Sequence, residues 1–239
     1  MTRVFDNLTQ NLGDRVQESL GDALRLDVAV GYFNLRGWGL FSELVDERAE
    51  VAEDLPVARI LVGMVLNSDQ REAISDLEST LSNKIALSID NGLATARAKE
   101  VIAQLREQLM RGLPNRHDKK VLQDLRRQIA DGRVQVKAFT EAPLHGKTYI
   151  VHRNDHVSPC YAYVGSSNLT TAGLLHNLEL NVEVVDQDDA KQLTNWFEDR
   201  WKNDFNIDLT DALLPLLAES WASPILREAY AVSPKLCYG

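Results

Sequence analysis

His145 and Lys147 stand two residues apart at the start of an apolar segment, in the stretch HGKTYIVH. On an extended strand, residues i and i+2 project to the same side, so an imidazole and an ammonium group would face one pocket. A neutral imidazole nitrogen can attack phosphorus and form a covalent intermediate, and a lysine can neutralise charge on the phosphate oxygens. By itself, however, the pair favours a structural role over a catalytic one.

A second polar group follows the next predicted strand, where Gly165, Ser166, Ser167 and Asn168 precede a short helix. The glycine permits a tight turn, and hydroxyl, amide and backbone N–H groups at a helix start can donate to an anion. Serine and asparagine are also common helix caps, so these four residues alone favour a cap over a phosphate site.

Glu179, in the run HNLELNVEV, is a third candidate. A carboxylate that accepts a hydrogen bond from an imidazole sets the tautomer of the ring and stabilises its charged form. The alternative is a surface glutamate on an edge strand.

Together these motifs resemble those of the phospholipase D superfamily, whose signature is H-x-K, then usually an Asp, then G-S-x-N, then a downstream Glu or Asn. His145 and Lys147 match the first motif, Gly165 to Asn168 match the second, and the resemblance covers roughly residues 133–185. It implies a set of catalytic residues and a set that binds the substrate. The catalytic residues are His145, Lys147, Asn168 and Glu179, and the substrate-binding residues are Ser166, Ser167 and Asn177.

Two features depart from the family pattern. The family's Asp commonly stands five residues after the Lys, where this chain has His152, and Asp155 lies nearby in a predicted loop. The interval from Lys147 to Gly165 is also longer than usual. Members without the Asp include metal-independent restriction endonucleases and related domains attached to helicases, and this chain looks most similar to those.

The resemblance implies a mechanism that needs neither a metal nor a cofactor. One histidine attacks the phosphodiester and forms a phosphohistidine, a second histidine from another H-x-K motif protonates the leaving oxygen, and water releases the product. We count one such motif in the chain, at His145, so a complete site requires two chains. The simplest arrangement is a twofold homodimer with the site at its interface.

The implied function is that of a nuclease acting on DNA in restriction, defence or repair, as part of a helicase-type protein. One alternative is a catalytically silent module that binds nucleic acid or a protein partner, since the usual Asp is missing. A lipid phosphodiesterase ranks last, because the sequence contains no membrane helix and no identifiable apolar anchor.

The elements that must position these residues follow from hydrophobic spacing. Apolar runs without polar alternation predict strands that are buried on both faces, as in a mixed sheet between helical layers, and hence an α/β fold. The predicted strands are 24–33, 57–65, 133–139, 146–152, 161–167 and 178–185. The predicted helices are 3–24, 36–53, 170–176, 188–204 and a tail that Pro215 and Pro224 break.

Residues 68–131 are predicted to be helical almost throughout, which is long for a crossover between strands. We interpret them as a helical insertion in a single phospholipase D-like domain spanning residues 1–239. Residues 97–137 carry 11 Lys/Arg and 5 Asp/Glu, a local charge of +6 in a chain of net charge −9. This basic segment would contact the DNA backbone, or it is simply a solvated helical surface.

An aromatic stripe on the predicted helix 188–204 comprises Trp196, Phe197 and Trp201. Aromatic residues at helical spacing favour a place in the core over a base-stacking platform.

The composition is that of an ordinary soluble globular protein, with 44% apolar and 26% charged residues. No apolar run is long enough for a transmembrane helix, and the N-terminus is too polar for a secretory signal. Cys160 and Cys237 are too few and too distant for a disulfide scaffold or a zinc site, which indicates a reducing cytoplasm. The ending SPKLCYG predicts that the chain is a fragment of a longer protein.

Overall fold

A mixed β-sheet forms the centre of the computed structural model, which describes residues 3–52, 56–63, 99, 101–107, 109, 115–142 and 144–219. The eight strands of this described part have the spatial order β1-β7-β6-β5-β2-β3-β4-β8. In chain order they are β1 (Val4–Phe5), β2 (Ala23–Val30), β3 (Ala58–Val62), β4 (Val134–Ala138), β5 (Lys147–Arg153), β6 (Cys160–Gly165), β7 (Asn181–Val184) and β8 (Ile207–Asp208).

The strand directions bring particular strand ends together. Strands β2, β3 and β4 run parallel, while β5 is antiparallel to β2, β6 to β5 and β7 to β6. The carboxyl ends of β2 and β6 therefore lie at the same end of the sheet as the amino ends of β5 and β7. Each of the predicted motifs adjoins one of these four ends.

Helices cover both faces of the sheet, which confirms the predicted α/β architecture. The helices are α1 (Leu12–Leu20), α2 (Ser42–Val51), α3 (Arg116–Ala130), α4 (Gln187–Trp201) and α5 (Thr210–Glu219), with a 3₁₀ helix at Leu35–Leu40. Side chains of α1, α2, α3 and α5 join the larger core cluster on one face of the sheet. Side chains of α4 form the smaller cluster on the other face.

Helix α1 is shorter than its sequence pattern predicts. The predicted helix 3–24 begins only at Leu12 and ends at Leu20, because Val4–Phe5 form β1, Asn7 organises the segment between β1 and α1 into a loop, and β2 begins at Ala23. Asn7 has a positive φ of 61°, its Oδ1 accepts from Leu12 N at 3.1 Å, and its Nδ2 donates to the carbonyl oxygens of Gly173 and Asn177. These contacts replace the helical hydrogen bonds that the apolar spacing alone would favour.

Two other predicted elements differ in detail. The predicted helix 170–176 is a single π-helical turn at Ala172–His176. Helix α5 continues through Pro215 instead of breaking there, and its Leu213, Leu216 and Leu217 are buried in the core, which offsets the lost backbone hydrogen bond.

Only part of the predicted insertion is described. Residues 101–107 and helix α3 are helical, as predicted, whereas residues 64–98 and the predicted breaks at Gly92 and Gly112–Pro114 lie outside the described residues. The chain beyond residue 219, including the predicted break at Pro224, lies outside them as well. The extent of the domain stays a prediction.

Candidate active site

The two predicted motifs are neighbours in the sheet. Lys147 at the start of β5 pairs with Gly165 at the end of β6, and Gly165 also pairs with Asn181 at the start of β7. An added Cβ on Gly165 would overlap the carbonyl oxygen of Leu180, so only glycine allows this close approach of the backbones. The H-x-K motif, the G-S-x-N motif and the loop that carries Glu179 thus meet at one end of the sheet.

His145 and Lys147 form a contacting pair, as the alternation of a strand predicts. Lys147 Nζ lies 3.0 Å from His145 Nδ1 and 3.1 Å from Nε2, and it donates to the carbonyl oxygen of His145 at 2.7 Å. Because an ammonium group can only donate, a hydrogen bond to the ring requires an unprotonated nitrogen, which is the nucleophilic form of the imidazole. His145 is exposed and Lys147 is buried.

Burial lowers the pKa of Lys147 below its usual value, and the negative charge of Glu179 opposes that shift. The lysine is therefore a buried group whose positive charge is favoured by the carboxylate of Glu179. An incoming phosphate would supply the negative charge that such a cation lacks.

Asn168 approaches His145 across Gly31, the residue that follows β2. Tyr32 N donates to Asn168 Oδ1 at 2.9 Å. An added Cβ on Gly31 would lie 3.6 Å from that oxygen and 3.8 Å from the Cα of His145. With Oδ1 occupied by a backbone donor, the Nδ2 group of Asn168 is the one that could donate to a phosphate oxygen.

Glu179 contacts Ser166 instead of the imidazole. The hydroxyl of Ser166 donates to Glu179 Oε2 and accepts from Leu180 N at 3.0 Å. No hydrogen bond joins Glu179 to His145 among the described residues, and a role of Glu179 in orienting this ring stays a prediction. The carboxylate instead fixes the first serine of the G-S-x-N turn.

Ser167 holds the turn together from inside. It is fully buried, its hydroxyl donates to the carbonyl oxygen of Gly173 at 2.8 Å, and it accepts from Asn181 Nδ2 at 2.8 Å. Asn181 Oδ1 also accepts from Ser167 N at 3.2 Å. Asn177 is exposed beside this turn, and its carbonyl oxygen accepts from Asn7 Nδ2 at 2.9 Å. Substrate binding by Ser167 and Asn177 stays a prediction.

Sequence reasoning missed Asn181 as a supporting residue. It is buried at the first position of β7, where its Oδ1 accepts from Ser167 N and its Nδ2 donates to the Ser167 hydroxyl. The available signal was a polar residue at the inward position of the alternating run NVEV, which a buried strand tolerates only when its hydrogen bonds are satisfied.

His152 lies in β5, within the predicted strand 146–152. Being five residues from Lys147, it projects to the opposite face of the sheet, where its Nε2 lies 2.6 Å from Asp27 Oδ2. Asp27 is fully buried and also accepts from Arg59 Nε and Nη2, each at 2.7 Å. A carboxylate from β2 therefore stands beside the position where the family usually carries its Asp.

Asp27 is charged in this setting. Burial opposes its charged form, but hydrogen bonds from Arg59 and His152 outweigh burial and hold the pKa of the carboxyl well below its usual range. Arg59 also contacts Glu198 and lies 5.0 Å from the Phe197 ring centroid. Asp155, in contrast, accepts from two N–H groups of its own loop.

Part of the basic segment is neutralised by helix α2. Lys120 Nζ lies 2.9 Å from Glu43 Oε1, while Arg127 and Arg133 both bind Asp46, at 3.1 and 3.0 Å. These three cations favour the interpretation of a solvated helical surface, while Arg97 and Arg111 lie outside the described residues.

The count of a single H-x-K motif was wrong, because His117, Asp118 and Lys119 form a second triplet. That triplet lies in helix α3, where residues two apart point about 200° away from each other. Asp118 N donates to the N-cap residue Asn115 at 2.8 Å. In the described part of the chain, His145 and Lys147 are therefore the only H-x-K residues whose side chains face the same way.

Residues 99–201 match the family described as cardiolipin synthase, PLD-like domain. This part of the chain is a phospholipase D-like domain. The predicted membership of the phospholipase D superfamily is thereby confirmed, and the match includes both motifs. No curated protein sequence matches the chain.

Several solved structures resemble this chain distantly. Nuc from Salmonella typhimurium, a phospholipase D family member, has 13% identity and a TM-score of 0.48, over 87% of this chain and 97% of Nuc. NucT from Helicobacter pylori has 10% identity and a TM-score of 0.44, over 84% of this chain and 96% of NucT. Phosphatidylserine synthase from Haemophilus influenzae has 12% identity and a TM-score of 0.47, over 96% of this chain and 44% of the synthase.

The described residues lack two further features. They contain no group of three or more His, Cys, Asp or Glu side chains placed to hold a metal ion. None of their helices combines the length and the apolar character needed to cross a membrane.

Proposed function

We propose that the chain is a metal-independent nuclease that cleaves DNA through a phosphohistidine. The observation that carries this proposal is the contact between Lys147 Nζ and both ring nitrogens of the exposed His145. Asn168 and the pair Ser166–Glu179 lie beside it. A nucleophile, a fixed cation and neutral donors at one strand end are what phosphodiester transfer requires.

In the proposed reaction, a ring nitrogen of His145 attacks phosphorus, and the bond from phosphorus to the leaving oxygen breaks. A second imidazole gives its proton to that oxygen. The same imidazole then takes a proton from water, which attacks the phosphohistidine and releases the phosphate product and free His145. Lys147 and the Nδ2 group of Asn168 offset the charge that builds on the non-bridging oxygens.

We propose that His145 of the partner subunit is the second imidazole, in a twofold homodimer. Support comes from apolar side chains that flank Glu179: Leu178 is 75% exposed and Leu180 is 63% exposed. The N-terminal segment beside them adds two more exposed apolar residues, Val4 and Leu8. An apolar rim around a half-complete polar site fits a second copy of the same chain.

The nuclease proposal is tested by cleavage of plasmid and oligonucleotide DNA in excess EDTA. Wild type should cleave and should form a phosphohistidine that survives alkaline denaturation and is lost in acid, whereas His145→Ala should do neither. His117→Ala is the matched control, because it removes an exposed histidine of the helical triplet. Equal behaviour of wild type and His145→Ala would remove the nuclease proposal. DNA binding without any phosphohistidine would establish the silent module instead.

The dimer is tested by light scattering across micromolar concentrations. Wild type should be dimeric, and Leu180→Asp should be monomeric and inactive because it places a charge in the apolar rim. Val157→Asp is the matched control, since Val157 is equally apolar and 83% exposed but lies in the loop at the other end of β5. A monomeric wild type that cleaves DNA would contradict the shared site. If His117→Ala then lost that activity, His117 of the same chain would be the second histidine.

The wider setting rests on the resemblance alone. We propose a role in restriction, defence or repair, a helicase-type domain in the same protein and a cytoplasmic location.

A further inference from the structure

An open cleft of about 490 Å³ adjoins His145 on the face of the sheet that α4 covers. It lies on the other side of the H-x-K backbone from Lys147. The residues that matter for its chemistry are His145, Gly146, Trp196, Arg200, Glu141 and Asp199.

Trp196 differs from the other aromatic residues of its stripe. Phe197 and Trp201 are buried, as their spacing predicts, but Trp196 is only partly buried and lines the cleft. An added Cβ on Gly146 would lie 3.6 Å from Trp196 Cη2. The far edge of the indole therefore rests against the backbone between the nucleophile and its lysine.

Arg200 places a positive charge next to the ring of Trp196. Its guanidinium carbon lies 4.0 Å from the centre of the Trp196 ring, and its Nη1 donates to the carbonyl oxygen of Trp196 at 2.9 Å. A guanidinium close to an aromatic ring and bound to the backbone presents a planar, weakly hydrated group beside which another planar group can stack.

We propose that this cleft is a base-binding subsite, in which a nucleobase next to the scissile phosphate stacks on the pair Trp196–Arg200. The inference rests on the proposed nuclease function and deepens it, because it names the part of the substrate that the cleft holds. Stacking accepts every base, so the stacking contact confers preference for nucleic acid over other phosphodiesters.

The charges of the cleft favour a base over a phosphate. Glu141 and Asp199 place two carboxylates there, and Asn203 Nδ2 donates to Glu141 Oε2 at 2.6 Å. Carboxylates repel phosphate oxygens but accept hydrogen bonds from exocyclic amino groups of bases. The phosphate is thus directed to Lys147 on one side of the H-x-K backbone, and the base to Trp196 on the other.

The subsite is tested with dinucleoside monophosphates, whose single phosphodiester fixes the register. Three substrates are compared: one with both bases, one without the 5′ base and one without the 3′ base. Removing the stacked base should lower kcat/KM about 5- to 150-fold, and removing the other base should change it little. Trp196→Ala should cause the same loss with the complete substrate, and Trp196→Phe should restore most of it.

The substrate that lacks the stacked base is the internal control. Trp196→Ala should lose far less kcat/KM with this substrate than with the complete one, because the side chain then has nothing to stack on. An equal loss with all three substrates would overturn the proposal, since it would show that Trp196 only supports the fold. Wild-type rates that do not depend on either base would overturn it as well.

A different outcome separates this proposal from the nuclease proposal. If wild type cleaves none of the three substrates, the nuclease function fails and the subsite is judged by binding. A single-stranded oligonucleotide should then quench tryptophan fluorescence in wild type, while an abasic oligonucleotide or the variant Trp196→Phe should show no such quenching. Equal quenching by the abasic oligonucleotide, or in the variant, would exclude a base stacked on Trp196.

Discussion

Removal of the Arg59 guanidinium should destabilise the fold strongly, because it leaves Asp27 charged inside the sheet. Asp27 is fully buried, and both of its oxygens accept from Arg59 at 2.7 Å. Breaking a buried ion pair by removing one partner costs about 3–5 kcal/mol of unfolding free energy. Asp27 keeps His152 at 2.6 Å and Arg25 at 3.1 Å, so we expect Arg59→Met to cost about 3 kcal/mol, the lower end of that range.

The assay is urea and thermal unfolding followed by circular dichroism. For a chain of 239 residues, each kcal/mol lowers Tm by about 2–4 °C, so the expected fall is about 6–12 °C. Asp27→Asn combined with Arg59→Met should recover much of the loss, because it removes both charges together. Lys120→Met is the matched control, since it breaks an exposed ion pair with Glu43 that solvent screens.

The loss caused by Arg59→Met should also depend on pH. In wild type the pKa of Asp27 is lowered, so its contribution is full above the ordinary aspartate pKa and is lost as the pH falls through the lowered value. Without Arg59, the largest of the contributions that oppose burial is lost, so that pKa should rise relative to wild type. The carboxyl then takes up a proton on mild acidification, and the stability deficit should be smaller at about pH 5 than at about pH 7.5. A deficit below about 1 kcal/mol at both pH values would refute the argument, because it is what an exposed pair gives.

Three further predictions concern the site. Burial lowers the pKa of Lys147, so this lysine should lose its proton, and KM for a phosphodiester should rise, at a lower pH than an exposed lysine would require. Lys147→Arg should abolish that rise in the measured pH profile, because arginine keeps its charge. Asn181→Ala should lower the unfolding free energy by about 1–3 kcal/mol and reduce kcat, since it leaves Ser167 N without its acceptor; an unchanged kcat would contradict a positioning role. Gly165→Ala should abolish cleavage and lower Tm, because its Cβ would overlap the carbonyl oxygen of Leu180, and a fully active variant would show that the turn tolerates a shift.

Much of the site could be predicted because its signals are local. The alternation of a strand places His145 and Lys147 on one side, and the structure brings their side chains into contact. The apolar run 57–65 predicts a strand buried on both faces, and β3 is buried along its whole length. In contrast, the helical spacing at 3–24 predicted a helix that starts too early. Asn7 contacts Gly173 and Asn177, which lie far along the chain, and a local pattern holds no information on such contacts.

The sequence by itself determined the chemistry-bearing motifs, the strands that carry them and the alternation that aims His145 and Lys147 together. Only the tertiary structure decided which distant groups complete those motifs. It paired His152 with Asp27 across 125 positions of sequence, and it set Trp196 against Gly146. The physical reason is that side-chain direction along a strand depends on local backbone geometry, whereas neighbours across a sheet or under a helix depend on how the whole chain packs.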